Sequence, residues 1–108
     1  MPTKRRLATL ELEALEAAQG GSCQSENPLG WALLLQRESS GNYSLCKVGS
    51  PTCKYRGAFQ FDMRTWRSVG GEGDPLTASP SYQDQMACRL FQSRGGQPWP
   101  ENGHFLSR

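Results

Sequence analysis

Glu38 is the residue whose position most invites chemistry. It follows Trp31 by seven residues, Leu34 by four and Leu35 by three. Those spacings set its carboxyl on the apolar face of a helix. A carboxyl that loses hydration there is disfavoured in its charged form, and the partial negative charge at a helix C-terminus acts in the same direction. A carboxyl that keeps its proton near neutral pH can protonate a leaving oxygen, the task of the general acid in glycoside cleavage. The plain alternative is a glutamate at a fraying helix end, turned to solvent or paired with Arg37 or Arg56. Hydrolysis by a carboxylate pair needs a second member at a set distance. Asp62, Glu72 and Asp74 are the candidates. Asp62 reads better as a helix N-cap, and the other two sit in a glycine-rich stretch.

The elements that must position Glu38 are four helices and one irregular excursion. Arg6 to Ala18 carries Leu7, Leu10, Ala14 and Ala17 at helical spacing, with Gly20 and Gly21 ending the run. This predicts an accessory N-terminal helix within residues 1–21, and a main domain over residues 22–108. The second helix starts at Pro28 behind the N-cap Asn27, buries Trp31, Leu34 and Leu35, and runs to about Ser39, where Gly41 permits a stop. Residues 43–57 show no sustained period and read as a loop or short hairpin. A short helix follows Asp62, with Met63 and Trp66 on one face and Gly70, Gly71 and Gly73 beyond it. The last helix has Ser79 as N-cap, Pro80 at its first position and a stripe of Met86, Ala87, Leu90 and Phe91. Gly95 and Gly96 end it, and Pro98-Trp99-Pro100 opens a rigid tail. The fold class expected is α+β, mainly α.

Composition narrows the setting. The 108 residues allow one small domain, and a hydrophobic content of 36% allows one modest core. A formal net charge of +2 lacks the basic density that nucleic-acid binding demands. No apolar run is long enough to span a membrane. Lys4, Arg5 and Arg6 resemble the start of a secretory signal, but Glu11, Glu13 and Glu16 interrupt the apolar core that should follow. The expectation is a mature, trimmed or phage-encoded monomer acting outside the cytoplasm. Four cysteines, Cys23, Cys46, Cys53 and Cys88, point to two disulfides and an oxidising compartment. Three pairings are possible. Cys46 and Cys53 flank a short loop and favour a local bond, which leaves Cys23 to tie the N-terminal region to Cys88. With no close CxxC pair and one histidine, His104, in the tail, neither a metal nor another cofactor is expected.

Glu38-Ser39-Ser40-Gly41-Asn42-Tyr43 resembles the Glu-Ser-Gly-Gly-Asn-Trp signature of the resuscitation-promoting factor family, with Ser at 40 and Tyr at 43 as departures. Tyr55 to Trp66 resembles the family's second block, with its apolar-Gln-Phe triplet and Thr-Trp pair. Gly70-Gly71, the helix from Ser79 to Arg94 with Gln85, and Trp99-Pro100 follow at similar distances. The likeness covers about residues 27–100.

The resemblance implies a small lysozyme-like domain that cleaves peptidoglycan glycan strands between N-acetylmuramic acid and N-acetylglucosamine. It puts Glu38 at the catalytic glutamate and Tyr55, Gln60 and Thr65 at sugar-contacting positions. Each has an ordinary structural alternative: Gln60 satisfying loop backbone, Thr65 on a helix surface, Tyr55 shielding core. Trp66 and Trp99 read as core. The family's cleft Gln near the end of the last helix is Arg94 here, whose guanidinium could instead meet a lactyl or peptide-stem carboxylate. The family's cysteine staple, just before the glutamate and just after Trp-Pro, is replaced by Arg37 and residues near Glu101-Asn102. The lone carboxylate favours lytic transglycosylation. The alternatives are a lysozyme-type hydrolase and a peptidoglycan-binding module without turnover.

Overall fold

The computed structural model describes residues 23–47 and 53–106. The helix expected over residues 6–18, with the whole of the N-terminal unit 1–21, lies outside the described residues. The fold is α+β and mainly helical. Residues 23–26 make a helical turn, followed by α1 (Pro28–Ser39), a two-stranded antiparallel hairpin of β1 (Cys46–Lys47) and β2 (Tyr55–Arg56), then α2 (Met63–Ser68) and α3 (Pro80–Arg94). Short 3-10 turns at Pro75–Thr77 and Gly103–Leu106 complete the described chain.

Local chemistry sets each helix start. Asn27 Oδ1 accepts from Gly30 N at 3.1 Å, Asp62 Oδ1 from Thr65 N at 2.7 Å and Ser79 Oγ from Tyr82 N at 3.2 Å. At the stop of α1 Gly41 takes a permissive φ of 76°, and the residue before it, Ser40, is the left-handed cap, with φ 55°. Its N–H returns to Gln36 O at 3.0 Å, and Gly41 N returns to Leu35 O at 3.3 Å. This is the position where the resemblance calls for glycine, and the backbone conformation gives the reason. Two further elements escape the sequence reading. Asp74 caps the Pro75–Thr77 turn through Leu76 N at 2.9 Å, and the expected tail after Trp99 coils into Gly103–Leu106.

The hairpin pairs Cys46 with Arg56 and Lys47 with Tyr55. Cys46 is bonded to Cys53, seven residues on, and Cys23 to Cys88 across 65 residues. In the chain-entropy picture a loop of the latter length stabilises by about 4 kcal/mol, a large share for a domain with so small a core.

The core is built on aromatic edges. Trp31 meets Phe59, Phe91 and Trp99 at ring distances of 5.9, 5.6 and 5.8 Å, all near perpendicular. At its far side lies a buried polar hub. Gln83 on α3 is fully buried, and its Oε1 accepts from Ala58 N at 3.0 Å. Its Nε2 donates to Pro75 O at 2.8 Å, Tyr43 O at 3.0 Å and Ala78 O at 3.1 Å. One side chain thus ties together three segments that lie outside the α-helices and strands. Gly57, at φ 81°, passes so close that a Cβ there would run into the Gln83 amide.

Tyr43 reinforces the same seam. Its hydroxyl donates to Asp84 Oδ1 at 2.6 Å, and its ring meets Phe59 edge-on. Burial pushes the Tyr43 hydroxyl well above its ordinary range, and the adjoining Asp84 acts in the same direction. Burial also raises Asp84, against the lowering effect of the hydrogen bond.

Two outcomes are expected. Gln83→Leu keeps the volume but strands Ala58 N–H and the shared carbonyls, and should lower the unfolding free energy in urea by about 3 kcal/mol. For Tyr43 the sign is set by unfolding, which restores its ordinary pKa near 10. Its contribution is therefore intact below about pH 10 and lost as pH rises further. Melting temperatures followed from pH 8 to 11 should fall less steeply for Tyr43→Phe than for the wild type.

Candidate active site

Glu38 occupies the last turn of α1, half-buried, one turn beyond fully buried Leu34. Its Oε2 accepts from Asn102 Nδ2 at 2.7 Å, a contact spanning 64 residues. Among the described residues, Oε1 has no hydrogen-bond partner. The carboxyl lines a cleft of about 480 Å³ whose wall also includes Tyr55, Gln60, Thr65 and Arg94. The five residues singled out in the sequence therefore share one concave surface, although they come from α1, the hairpin, the turn after it, α2 and the end of α3.

Each position follows from its element. Tyr55 is exposed on β2, with Lys54 Nζ lying 5.4 Å from its ring centre. The hairpin thereby brings an aromatic side chain to the cleft wall. Thr65 lies in the first turn of α2, where its own N–H is taken by Asp62. Arg94 ends α3, exposed, with no carboxylate partner among the described residues. Gln60 combines two unusual features. Its φ of 54° is left-handed, a conformation that costs a non-glycine residue about 1 kcal/mol or more. Its Nε2 donates to Gly57 O at 2.7 Å, while its buried Oε1 is without a partner. The amide thus satisfies loop backbone with its nitrogen, the alternative raised by the sequence, while its oxygen lines the cleft wall unpaired.

The carboxylates divide clearly. Asp62 lines the cleft but spends Oδ1 on the α2 cap. Asp74 lies outside it, paired with Arg56 at 2.6 Å. That pair also means Arg56 is engaged away from Glu38. Glu72 lies outside as well, exposed, contributing only backbone contacts with Trp66 and Tyr82. Glu101 is an exposed cleft residue that the sequence did not single out. Among the described residues no group of three or more His, Cys, Asp or Glu is placed to hold a metal. Likewise, no described helix is long and apolar enough to cross a membrane.

The cleft floor and its C-terminal wall are one structure. Trp99 is buried, and its Nε1 donates to Phe59 O at 3.1 Å. The Gly103–Leu106 turn packs on α1. Asn27 Nδ2 donates to Phe105 O at 3.0 Å, and the Arg37 guanidinium lies 5.7 Å from the Phe105 ring centre. Gly96 and Gly103 approach so closely that a Cβ on either would enter the other's backbone. Where the resemblance calls for a cysteine staple between α1 and this segment, the chain uses an amide–carboxyl hydrogen bond and a cation–ring contact. Asn102 is the residue of this wall that sequence reasoning missed. The staple implied by the resemblance puts this segment beside the end of α1, but does not name Asn102 as the partner of Glu38.

Comparison with known proteins identifies the family. The model of the transglycosylase-like domain family matches residues 25–102. The chain is similar to resuscitation-promoting factor RpfD of Mycobacterium tuberculosis, 33% identical over 73 residues, which cover 68% of this chain and 45% of that protein. Similarity to RpfC of the same species is 36% identity over 73 residues, 68% of this chain and 49% of the relative. For Rpf of Micrococcus luteus it is 34% over 70 residues, 65% of this chain and 30% of the relative. The chain thus spans less than half the length of these relatives. With the family's signature blocks matched across most of its length, the chain belongs to the transglycosylase-like domain family of resuscitation-promoting factor type.

Proposed function

We propose that this domain cleaves peptidoglycan glycan strands between N-acetylmuramic acid and N-acetylglucosamine by lytic transglycosylation, with Glu38 as acid and then base. The observation that carries the reading is the Glu38 carboxyl itself: half-buried, held at one oxygen and opening on a cleft lined by an aromatic, an amide and a hydroxyl. Tyr55 offers a flat face to a pyranose ring. Gln60 and Thr65 offer groups that hydrogen-bond sugar hydroxyls and N-acetyl amides. Arg94 offers a guanidinium to the lactyl or peptide-stem carboxylate of muramic acid. The two disulfides fit an oxidising site of action, in the wall or periplasm.

The steps balance with one carboxyl. Glu38 gives its proton to the glycosidic oxygen as the bond from that oxygen to the muramic anomeric carbon breaks. The substrate's N-acetyl group stabilises the positive centre. The muramic 6-hydroxyl then attacks that carbon, and its proton returns to Glu38. The result is a 1,6-anhydro ring and a regenerated acid. A second reading has one observation in its favour: Glu101 also lines the cleft, and a second carboxylate would suit activation of water by a hydrolase. Its exposure argues for a rim position.

The test of catalysis against mere binding is a zymogram of purified peptidoglycan comparing wild type with Glu38→Gln. Loss of the acid should reduce clearing by at least about 100-fold. A wall-binding module without turnover would leave both lanes uncleared, and equal clearing by both would remove Glu38 from the reaction.

A further inference from the structure

We infer that Asn102 is a positioning residue for this reaction, selecting which oxygen of Glu38 carries the transferred proton. The inference rests on the functional reading above and adds a second residue to it. Its basis is the 2.7 Å contact from Asn102 Nδ2 to Glu38 Oε2. An ionised carboxylate has no hydrogen to give, so the amide must turn its NH₂ toward it. In the acid form the oxygen that accepts this hydrogen bond behaves as the carbonyl oxygen. The hydroxyl is then Oε1, the oxygen without a partner among the described residues. The same bond removes a rotational freedom from a side chain at the last turn of a helix, where fraying is ordinary. A proton held in one place, on one rotamer, is the orientational contribution a general acid needs.

The Asn102 side of the contact is itself rigid. Its N–H donates to Trp99 O at 3.2 Å, and its carbonyl accepts from Phe105 N at 3.1 Å. Gly103 N donates to the same Trp99 carbonyl at 2.6 Å. Trp99 is anchored in the core through Phe59, and Phe105 is tied to the start of α1 by Asn27. The amide is therefore aimed by backbone bonds on both sides and by a buried ring. Asn102 thus couples the closing segment of the chain to the far end of α1. The other charged or titratable groups sharing the cleft are Arg37, Tyr55, Asp62, Arg94 and Glu101. Arg37 is engaged by Phe105, and Asp62 by the α2 cap.

The experiment is steady-state cleavage of soluble peptidoglycan fragments by wild type, Asn102→Ala, Asn102→Asp and Glu38→Gln across pH 4 to 9, with melting temperature as a check on folding. Asn102→Ala should lower kcat by about 10- to 100-fold and leave KM within about twofold. Asn102→Asp is isosteric and keeps the loop, but replaces the donor with a second carboxyl. The pair would then share a proton, and the alkaline limb of the kcat profile should move to higher pH. A merely structural role would lower kcat in proportion to the folded fraction and leave that limb in place, which would overturn the inference. Wild-type kcat and pH dependence in both Asn102 variants, with Glu38→Gln inactive, would overturn it while sparing the functional reading. Undiminished cleavage by Glu38→Gln would overturn both.

Discussion

The buried amide of Gln83 is the interaction on which the rest of the molecule depends. The segment after α1, the turn before Gln60 and the approach to α3 lack the ladder of hydrogen bonds that holds regular structure. Their exposed backbone groups would be costly to bury unpaired. Gln83 supplies both an acceptor and donors, so a single side chain satisfies four backbone groups from three segments. Tyr43 and Asp84, on the loop and the neighbouring position of α3, add a second bond across the same seam. The turn fixed at Ala58 leads directly to Phe59, which packs on Trp31, and to Gln60, which lines the cleft. Order in the core is transmitted to the site through adjacent residues of one short turn.

The opposite wall of the cleft is held by different means. The segment from Trp99 to Leu106 contributes few regular elements, yet it buries Trp99 and Leu106 and packs on α1. It touches α1 at both ends, through Asn27 at the start and Glu38 at the finish. Covalent links lie elsewhere, at the start of the described chain and across the hairpin. Closure of the cleft therefore rests on hydrogen bonds and ring contacts, while the disulfides limit the freedom of the unfolded chain. In so small a domain this division lets the polar wall of the site carry functional groups where a staple would otherwise stand.

Much of this was legible because its causes are local. Asn27, Asp62 and Ser79 announce helix starts through the residues that follow them within one turn. Leu34 and Glu38 share a helix face by spacing alone, and signature blocks align Tyr55, Gln60 and Thr65. What escaped is what depends on distant partners or on backbone angles. Gln83 looks like any other glutamine of α3 by its residue type, yet it bridges three segments. The helix stop takes two positive-φ residues in succession, Ser40 and Gly41, of which only the glycine is signalled by residue type. Asp74, a candidate second carboxylate in a glycine-rich stretch, caps a 3-10 turn and pairs with Arg56. The staple of the resembling family brings residues near Glu101-Asn102 to the end of α1, but the specific contact of Asn102 with Glu38 emerges only in the folded chain.

The chemistry assigned to the cleft turns on the number of carboxyls that take part. One acid with an attacking hydroxyl inside the substrate needs no activated water, whereas a pair does. Mass spectrometry of the glycan ends released from purified peptidoglycan reads that difference directly. New muramic termini in the 1,6-anhydro form are the predicted result. Ordinary reducing muramic ends as the principal product would contradict it, because water would then have taken the place of the 6-hydroxyl.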